Sequence, residues 1–377
     1  MKIFYWAPWI GNVGTIKAVL NSAYILKHYS KNKIDTRVIN SVGEWEKFKS
    51  NAKLIDLSKF KFYKFLPQGG FYFSRITYII IFLYSFIPLL NLVKKEKPDY
   101  LIVQLITSLP LFLKLIFNLK TKIILRISGY PKMNFLRKFF WKIVSKRIHK
   151  ITFPSYDLFL QFKELNIFKE SKMHVLYDPI ISYKEIVKLK NNPHFQEKNL
   201  KSDYILCVGR LTKQKNFSFV INNFKKIQRK YKDIELLIVG EGELRKKLEK
   251  QIINLDLQKK VRLEGFQSNI YNYMKNSKLF ILSSLWEEIG FVIVEAASCN
   301  VNILSSNCKN GPKEFLLNGK AGYLFENNNS ESFKVKFEEF MNDSFQNRKN
   351  KKILAKKETK KFTFLNHYNN FKKILTI

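Results

Sequence analysis

YILCVGRLTKQKNFSFVINNFKKIQRKYKDIELLIVGEG, residues 204–242, sets two short apolar, β-branched runs, Tyr204 to Val208 and Glu235 to Val239, on either side of a segment of helical period, Phe217 to Tyr231. Each apolar run ends in glycine. A strand covered on both faces reads as continuous apolar sequence, so two such strands joined by an amphipathic helix predict a βαβ unit. The pattern repeats. Val261 to Leu263, Lys278 to Leu282, Val301 to Leu304 and Gly322 to Phe325 read as further strands. Glu243 to Leu255, Asn269 to Lys275, Phe291 to Ser298 and Pro312 to Asn318 read as the helices between them. A doubly wound parallel sheet follows.

The first half alternates in the same way, with strands expected at Lys2 to Tyr5, Thr36 to Ile39, Tyr100 to Gln104, Lys122 to Ile127, Ile151 to Phe153 and His174 to Tyr177. A polar stretch rich in lysine and asparagine, 184–201, separates the halves and reads as a linker. Near the end, Phe371 and Ile374 fall at the spacing of a terminal amphipathic helix. The 377 residues therefore divide into a first Rossmann-like domain at 1–183, the linker, a second Rossmann-like domain at 202–350 and a helical tail at 351–377. The fold class is α/β, two doubly wound domains whose loops at the strands' C-terminal ends face a central cleft, where a ligand is expected.

Composition narrows the function. An apolar fraction of 46% and an aromatic fraction of 15% fill two cores and exclude wholesale disorder or collagen-like structure. Cys207, Cys299 and Cys308 form no CxxC pair, which supports neither a disulfide framework nor a structural zinc site and fits a reducing compartment. Met1 to Trp6 enter a strand directly, without the basic and small-residue features of a secretory signal. The formal net charge of +37 calls for an anionic partner: nucleic acid, an anionic membrane surface or a phosphorylated substrate. No familiar nucleic-acid module is present, so nucleic acid is set aside.

Three loop segments carry candidate chemistry. Gly209-Arg210-Leu211, followed by Lys213 and Lys215, puts cations at a strand end beside a helix start, where a guanidinium and an ammonium can hold a diphosphate. Gly240-Glu241-Gly242 permits a tight turn and close backbone approach to a ligand, and Gly265-Phe266 repeats the strand-then-glycine arrangement. The most specific segment is Ser283 to Ala297, SSLWEEIGFVIVEAA. Glu287 falls in the loop before a helix starting near Gly290, and Glu295 falls on that helix between Val294 and Ala296. A carboxylate in such apolar company needs a hydrogen-bonding partner, either a hydroxyl-rich ligand or an internal Lys or Arg.

Taken in order and spacing, GRLTKQKNF, VGEGELRKKLE, VRLEGF and WEEIGFVIVEAAS resemble the second domain of the family 4 retaining glycosyltransferases of the GT-B fold, over most of Asp203 to Phe325. Ser305 to Phe325 resembles the Gly-Pro-x-Glu segment of members that build bacterial surface polysaccharides. The resemblance implies that Arg210 and Lys215 hold the donor diphosphate, that Glu287 and the backbone at Gly290, Phe291 and Val292 contact the transferred sugar, and that Glu295 bonds the ribose. The turn after Gly265 would lie against the base, with Gly209, Gly240, Gly242 and Phe266 lining the donor site. No cofactor is implied beyond the donor itself, a nucleotide diphosphate sugar with uridine diphosphate favoured by family frequency, and no metal.

In the first domain Gly11, Gly14 and Thr15 resemble the family's glycine-containing loop, and Arg126 and Ser128 stand where many relatives carry a histidine, so these five residues are expected on the acceptor side. The five histidines of the chain fall outside every matched segment. The implied partners are a lipid-linked glycan or lipopolysaccharide or capsule precursor and an anionic membrane surface, with the protein cytoplasmic and peripheral on the inner face of the plasma membrane. Leu136 to Lys150 reads as a basic amphipathic helix suited to such a surface. Ile76 to Val93 approaches the length of a membrane span, but Ser85, Pro88 and Asn91 favour a buried or interfacial helix. The same architecture also serves nucleotide-sugar epimerases, and a non-catalytic sugar-binding scaffold is a third reading.

Overall fold

The apolar runs become strands in the computed structural model, which describes residues 1–8, 14–46, 48, 52–67, 71–131, 133–190 and 203–376. Two units pack separately, Met1–Ile180 with Phe364–Ile377, and Ile181–Thr363. In the first unit the order is β1 (Lys2–Trp6), α1 (Thr15–Tyr29), β2 (Asp35–Asn40), β3 (Lys53–Asp56), α2 (Phe71–Glu96), β4 (Tyr100–Val103), α3 (Ser108–Ile116), β5 (Lys122–Arg126), α4 (Phe135–Val144), β6 (Ile148–Phe153), α5 (Tyr156–Glu164) and β7 (Met173–Val175). The second contains α6 (Tyr183–Lys190), β8 (Tyr204–Val208), α7 (Phe217–Lys230), β9 (Glu235–Val239), α8 (Arg245–Asn254), β10 (Val261–Gly265), α9 (Tyr271–Asn276), β11 (Leu279–Leu282), α10 (Phe291–Ser298), β12 (Ile303–Ser306), α11 (Pro312–Phe315), β13 (Tyr323–Phe325), α12 (Ser330–Asn342) and α13 (Phe345–Glu358). The chain then returns to the first unit as α14 (Phe364–Thr376).

Both sheets are wholly parallel, ordered β3-β2-β1-β4-β5-β6-β7 and β10-β9-β8-β11-β12-β13. These are two Rossmann-like sheets, the GT-B arrangement of secondary structure. Each order reverses once, between β1 and β4 and between β8 and β11, the switch points at which doubly wound sheets hold ligands. Apolar side chains from both sheet faces fill the first unit. Leu89, Leu109 and Trp141 of α2, α3 and α4 belong to one cluster, while Val19 of α1 and Phe371 of α14 belong to the other.

Several boundaries differ from expectation. The edge strand β3 was not expected: its KLID sequence is half-exposed and too short to stand out from the loops around it. The basic helix ends at Val144, not Lys150, because Ile148 opens β6. Its apolar residues also divide, with Trp141 and Val144 buried and Leu136, Phe139 and Ile143 exposed. The residues read as a linker begin as helix up to Lys190, and 191–201 lie outside the described residues.

Candidate active site

Loops from three neighbouring strands are laced together at the C-terminal edge of the second sheet. Gly209 N donates to Val239 O and Gly240 N to Gly265 O, while Leu211 N donates to Glu241 O and Leu244 N to Leu211 O. This lacing decides the two glycines of Gly240-Glu241-Gly242. A Cβ on Gly240, whose φ is +143°, would lie 1.9 Å from Gly209 O, and one on Gly242 would lie 2.5 Å from Leu211 O. Here the glycines allow one loop backbone to approach another closely. Gly209 leaves room for the Lys215 stem, which would sit 3.1 Å from an added Cβ.

Above this floor the loops after β8 and β11 meet at the point where strand order reverses. Lys215 Nζ donates to Glu287 Oε1, and both side chains are largely withdrawn from solvent. Ser284 Oγ donates to the same carboxylate at 2.7 Å. The pair is held by its surroundings: Ser283 Oγ donates to Lys215 O, Leu285 N to Gln214 O, and Gln214 Nε2 to Trp286 O. Arg210 extends into solvent beside them, its guanidinium 3.5 Å from Gln214 Oε1. A cation and a carboxylate so arranged offer a diphosphate and a sugar hydroxyl one group each.

Gly290 stands at the N-terminus of α10 with φ of +78°, and Phe291 and Val292 form the helix's first turn, half-buried. N–H groups of a first turn have no partner within their helix and face whatever lies ahead of it. Glu295 is buried further along, and the Tyr271 hydroxyl of α9 donates to its Oε1 at 3.3 Å. Burial, and then the Glu295 charge, push the Tyr271 phenol far above its ordinary pKa. The expected alternatives for Glu295 were a ligand hydroxyl or a cation, and sequence reasoning missed the tyrosine. Phe266 follows the turn at Gly265 and is 77% exposed. Gly311 closes against this region, since a Cβ on it would meet Glu288 O at 1.5 Å. The Cys308 thiol is nearby, pushed up to about 11 chiefly by burial.

The first unit places its expected residues differently. Gly14 and Thr15 begin α1, and the Thr15 hydroxyl is buried with no hydrogen-bond partner among the described residues; Gly11 lies outside them. Ser128 Oγ accepts from Gln104 Nε2 at 2.9 Å, so the loops after β4 and β5 are joined. Arg126 is buried, donating to Leu176 O at 2.8 Å and Asp178 Oδ1 at 2.5 Å. No group of three or more His, Cys, Asp or Glu placed to hold a metal occurs among the described residues.

Residues 190–361 match the family model described as glycosyl transferases group 1. The second unit is thus similar to group 1 glycosyltransferases. Across 245 residues, 60% of this chain, it is 31% identical to an uncharacterised glycosyltransferase of Methanocaldococcus jannaschii. Across 226 residues, 57% of this chain, it is 28% identical to the N-acetylgalactosamine-N,N'-diacetylbacillosaminyl-diphospho-undecaprenol 4-alpha-N-acetylgalactosaminyltransferase of Campylobacter jejuni. The matches span 60% and 59% of those relatives' own lengths. The crystal structure of a glycosyltransferase from Rickettsia africae covers 99% of this chain and 97% of its own at a TM-score of 0.74 and 19% identity, which shows the fold. The Anabaena protein HepE, solved with UDP, covers all of both chains at a TM-score of 0.71 and 16% identity.

Within the matched segment, Arg210, Lys215, Glu287 and the α10 first turn stand on loops whose backbones are already bonded to one another. Preorganisation of this kind stabilises developing charge without reorganising at the moment of reaction. Ser284 and Gln214, which fix Glu287 and the loop around it, were not singled out in the sequence. Their types are common in loops and only their partners mark them.

Proposed function

We propose that this chain is a retaining glycosyltransferase that moves a hexose or N-acetylhexosamine from a nucleotide diphosphate sugar to a lipid-linked glycan or a lipopolysaccharide or capsule precursor. Its place is the cytoplasmic face of a membrane. The observation that carries the reading is the Lys215–Glu287 pair, with Arg210 beside it, at the switch point of the second sheet, within the segment matched to group 1. A uridine diphosphate sugar is the proposed donor, and the diphospho-undecaprenol substrate in the Campylobacter relative's name supports the lipid-linked acceptor.

In this mechanism Arg210 and Lys215 take the diphosphate, freeing Glu287 for a hydroxyl of the transferred sugar. Glu295 bonds the ribose, and Phe266 lies against the base. As the bond from the anomeric carbon to the diphosphate oxygen breaks, negative charge grows on the leaving group under the two cations and the α10 N–H groups. The acceptor hydroxyl attacks from the same face and passes its proton to the departing phosphate oxygen. The cations supply the charge that a divalent metal would otherwise supply, so a chelator is expected to leave the rate unchanged. On the acceptor side the buried Thr15 hydroxyl and Ser128 remain proposed contacts, and Arg126 is reassigned to anchoring the chain at Asp178.

Arg210→Ala is the cleanest test because its side chain is exposed. It should slow transfer about 10²-fold with an unchanged melting temperature. Lys215→Met should do at least as much, with some loss of stability because it breaks a buried ion pair by removing one partner. Near-normal turnover in both variants, measured with the donor that raises the melting temperature most in a nucleotide-sugar screen, would sink the assignment.

A further inference from the structure

α2, α3 and α4 form one layer on the first unit's sheet, each contributing to the same core on its inner side. Their outer side is also apolar. On α2, Tyr72, Ile76, Ile79, Leu83 and Ile87 recur at three- and four-residue spacing and are all exposed, Leu83 by 68%. On α4, Phe135, Leu136, Phe139 and Ile143 are exposed, Leu136 by 73%, and the first and third rings stack at 6.2 Å. Phe112 of α3 fills the ground between, its ring 6.3 Å from Phe82 and from Phe86 of α2. Soluble proteins rarely leave so many large apolar side chains together on one face.

The charge around this face has one sign. α2, α3 and α4 carry Arg75, Lys94, Lys95, Lys114, Arg137, Lys138 and Lys142 against one acidic residue, Glu96. Arg75 of α2 and Arg137 of α4 are near neighbours: Arg137 is held below its ordinary pKa first by burial and then by the Arg75 charge. Two such faces brought together would set like charges against each other, whereas anionic headgroups would neutralise them. α2 is long and apolar enough to cross a bilayer. Its inner side nevertheless carries Thr77, Ile81, Ser85 and Leu89 buried against the rest of the unit, and a crossing would strip them from that packing. A helix with one face in a protein core and the other apolar is suited to lie in the plane of the interface.

We propose that the α2–α3–α4 face docks flat on an anionic lipid bilayer, with the α2 stripe and the α4 aromatics among the acyl chains and Arg75 and Arg137 at the lipid phosphates. The inference draws its sense from the reading of a membrane-borne acceptor, but its test does not depend on transfer. The full chain is floated with phosphatidylcholine vesicles, with and without phosphatidylglycerol, at low and high salt. Binding should require phosphatidylglycerol and weaken with salt. Arg75→Glu with Arg137→Glu should lower affinity for the mixed vesicles by about tenfold or more. Ile79→Asp with Leu83→Asp should abolish binding at any salt while leaving the nucleotide-sugar thermal shift intact. Because a polar variant can fail for other reasons, Leu83→Trp supplies a positive signal: its fluorescence should shift to the blue on addition of mixed vesicles.

Absence of wild-type flotation, indifference to the aspartate variants, or no blue shift would overturn the proposal. So would a dimer in sedimentation that those aspartates convert to monomers, since the face would then belong to a second copy. Vesicle binding without transfer to any acceptor would count against the glycosyltransferase reading alone. Transfer to a water-soluble acceptor without vesicle binding would count against the docking face alone.

Discussion

Glu295 and Tyr271 show what one hydrogen bond does in an apolar helix. The carboxylate lies between Val294 and Ala296 on α10, and the Tyr271 hydroxyl, kept protonated by burial and by the neighbouring charge, donates to it. Tyr271→Phe removes that donor while filling nearly the same volume, so it should cost about 1–2 kcal/mol of stability in denaturant titration. If Glu295 holds the ribose, KM for the donor should rise more than kcat falls; an unchanged KM would separate Glu295 from the donor. The sequence marked Glu295 as a carboxylate in need of a partner because its neighbours are apolar. It did not mark Tyr271, twenty-four positions earlier on α9, because no spacing rule joins residues of different helices. Arg126, expected on the acceptor side from the resemblance alone, has a partner equally distant in sequence: Asp178, fifty-two positions away, pairs with it.

Elements differ in how plainly they announce themselves. The central strands were legible because a strand covered on both faces must be apolar throughout, and β8 and β9 are wholly buried. β3, an edge strand with two apolar residues, carries no such constraint. α2 was legible as a helix but not as one with an exposed apolar side, since length and composition do not say which face is covered. Loop packing likewise distinguishes glycines that look alike in sequence. Gly240→Ala would press a methyl group into the Gly209 carbonyl and should destabilise the second unit by about 3 kcal/mol or more. Gly265→Ala, at φ of +71°, meets only the flexible tips of Glu241 at 3.1 Å and Arg245 at 3.8 Å and should cost about 1–2 kcal/mol. Thermal unfolding of the two variants side by side checks the order; equal losses would mean that the lacing between the β8 and β9 loops is loose in solution.

At the scale of the whole chain, the last helix rejoins the first unit, and its attachment is polar as well as apolar. His367 of α14 is buried, with Nδ1 2.8 Å from Tyr177 O and Nε2 2.8 Å from Ser22 Oγ, which in turn meets the Tyr5 hydroxyl at 2.9 Å. Donation from Nδ1 to the carbonyl fixes the neutral tautomer, and burial lowers the ring's pKa from 6.5 to about 3. Below pH 6.5 the unfolded chain therefore takes up a proton that the folded chain refuses. This contribution to stability is present above pH 6.5 and is lost on acidification at about 1.4 kcal/mol per pH unit. Glu44 of the same unit acts in the opposite sense. Burial raises its carboxyl from 4.5 to about 7 against the opposing pull of the Ser41 and Val42 N–H groups it accepts from, so its contribution is present below pH 4.5 and is lost as pH rises through 7. Between pH 4.5 and 6.5 the two slopes are of similar size and opposite sign, and this part of the wild-type stability curve should be nearly flat. His367→Gln should expose the Glu44 slope, with stability rising by about 2–3 kcal/mol from pH 6.5 to 4.5, and Glu44→Gln should expose an equal fall. Denaturant titrations of the three proteins across that range decide the matter. A wild-type curve as steep as that of Glu44→Gln would show that Glu44 does not offset the histidine, and parallel curves for all three would show that neither group is held in the protonation state its burial imposes.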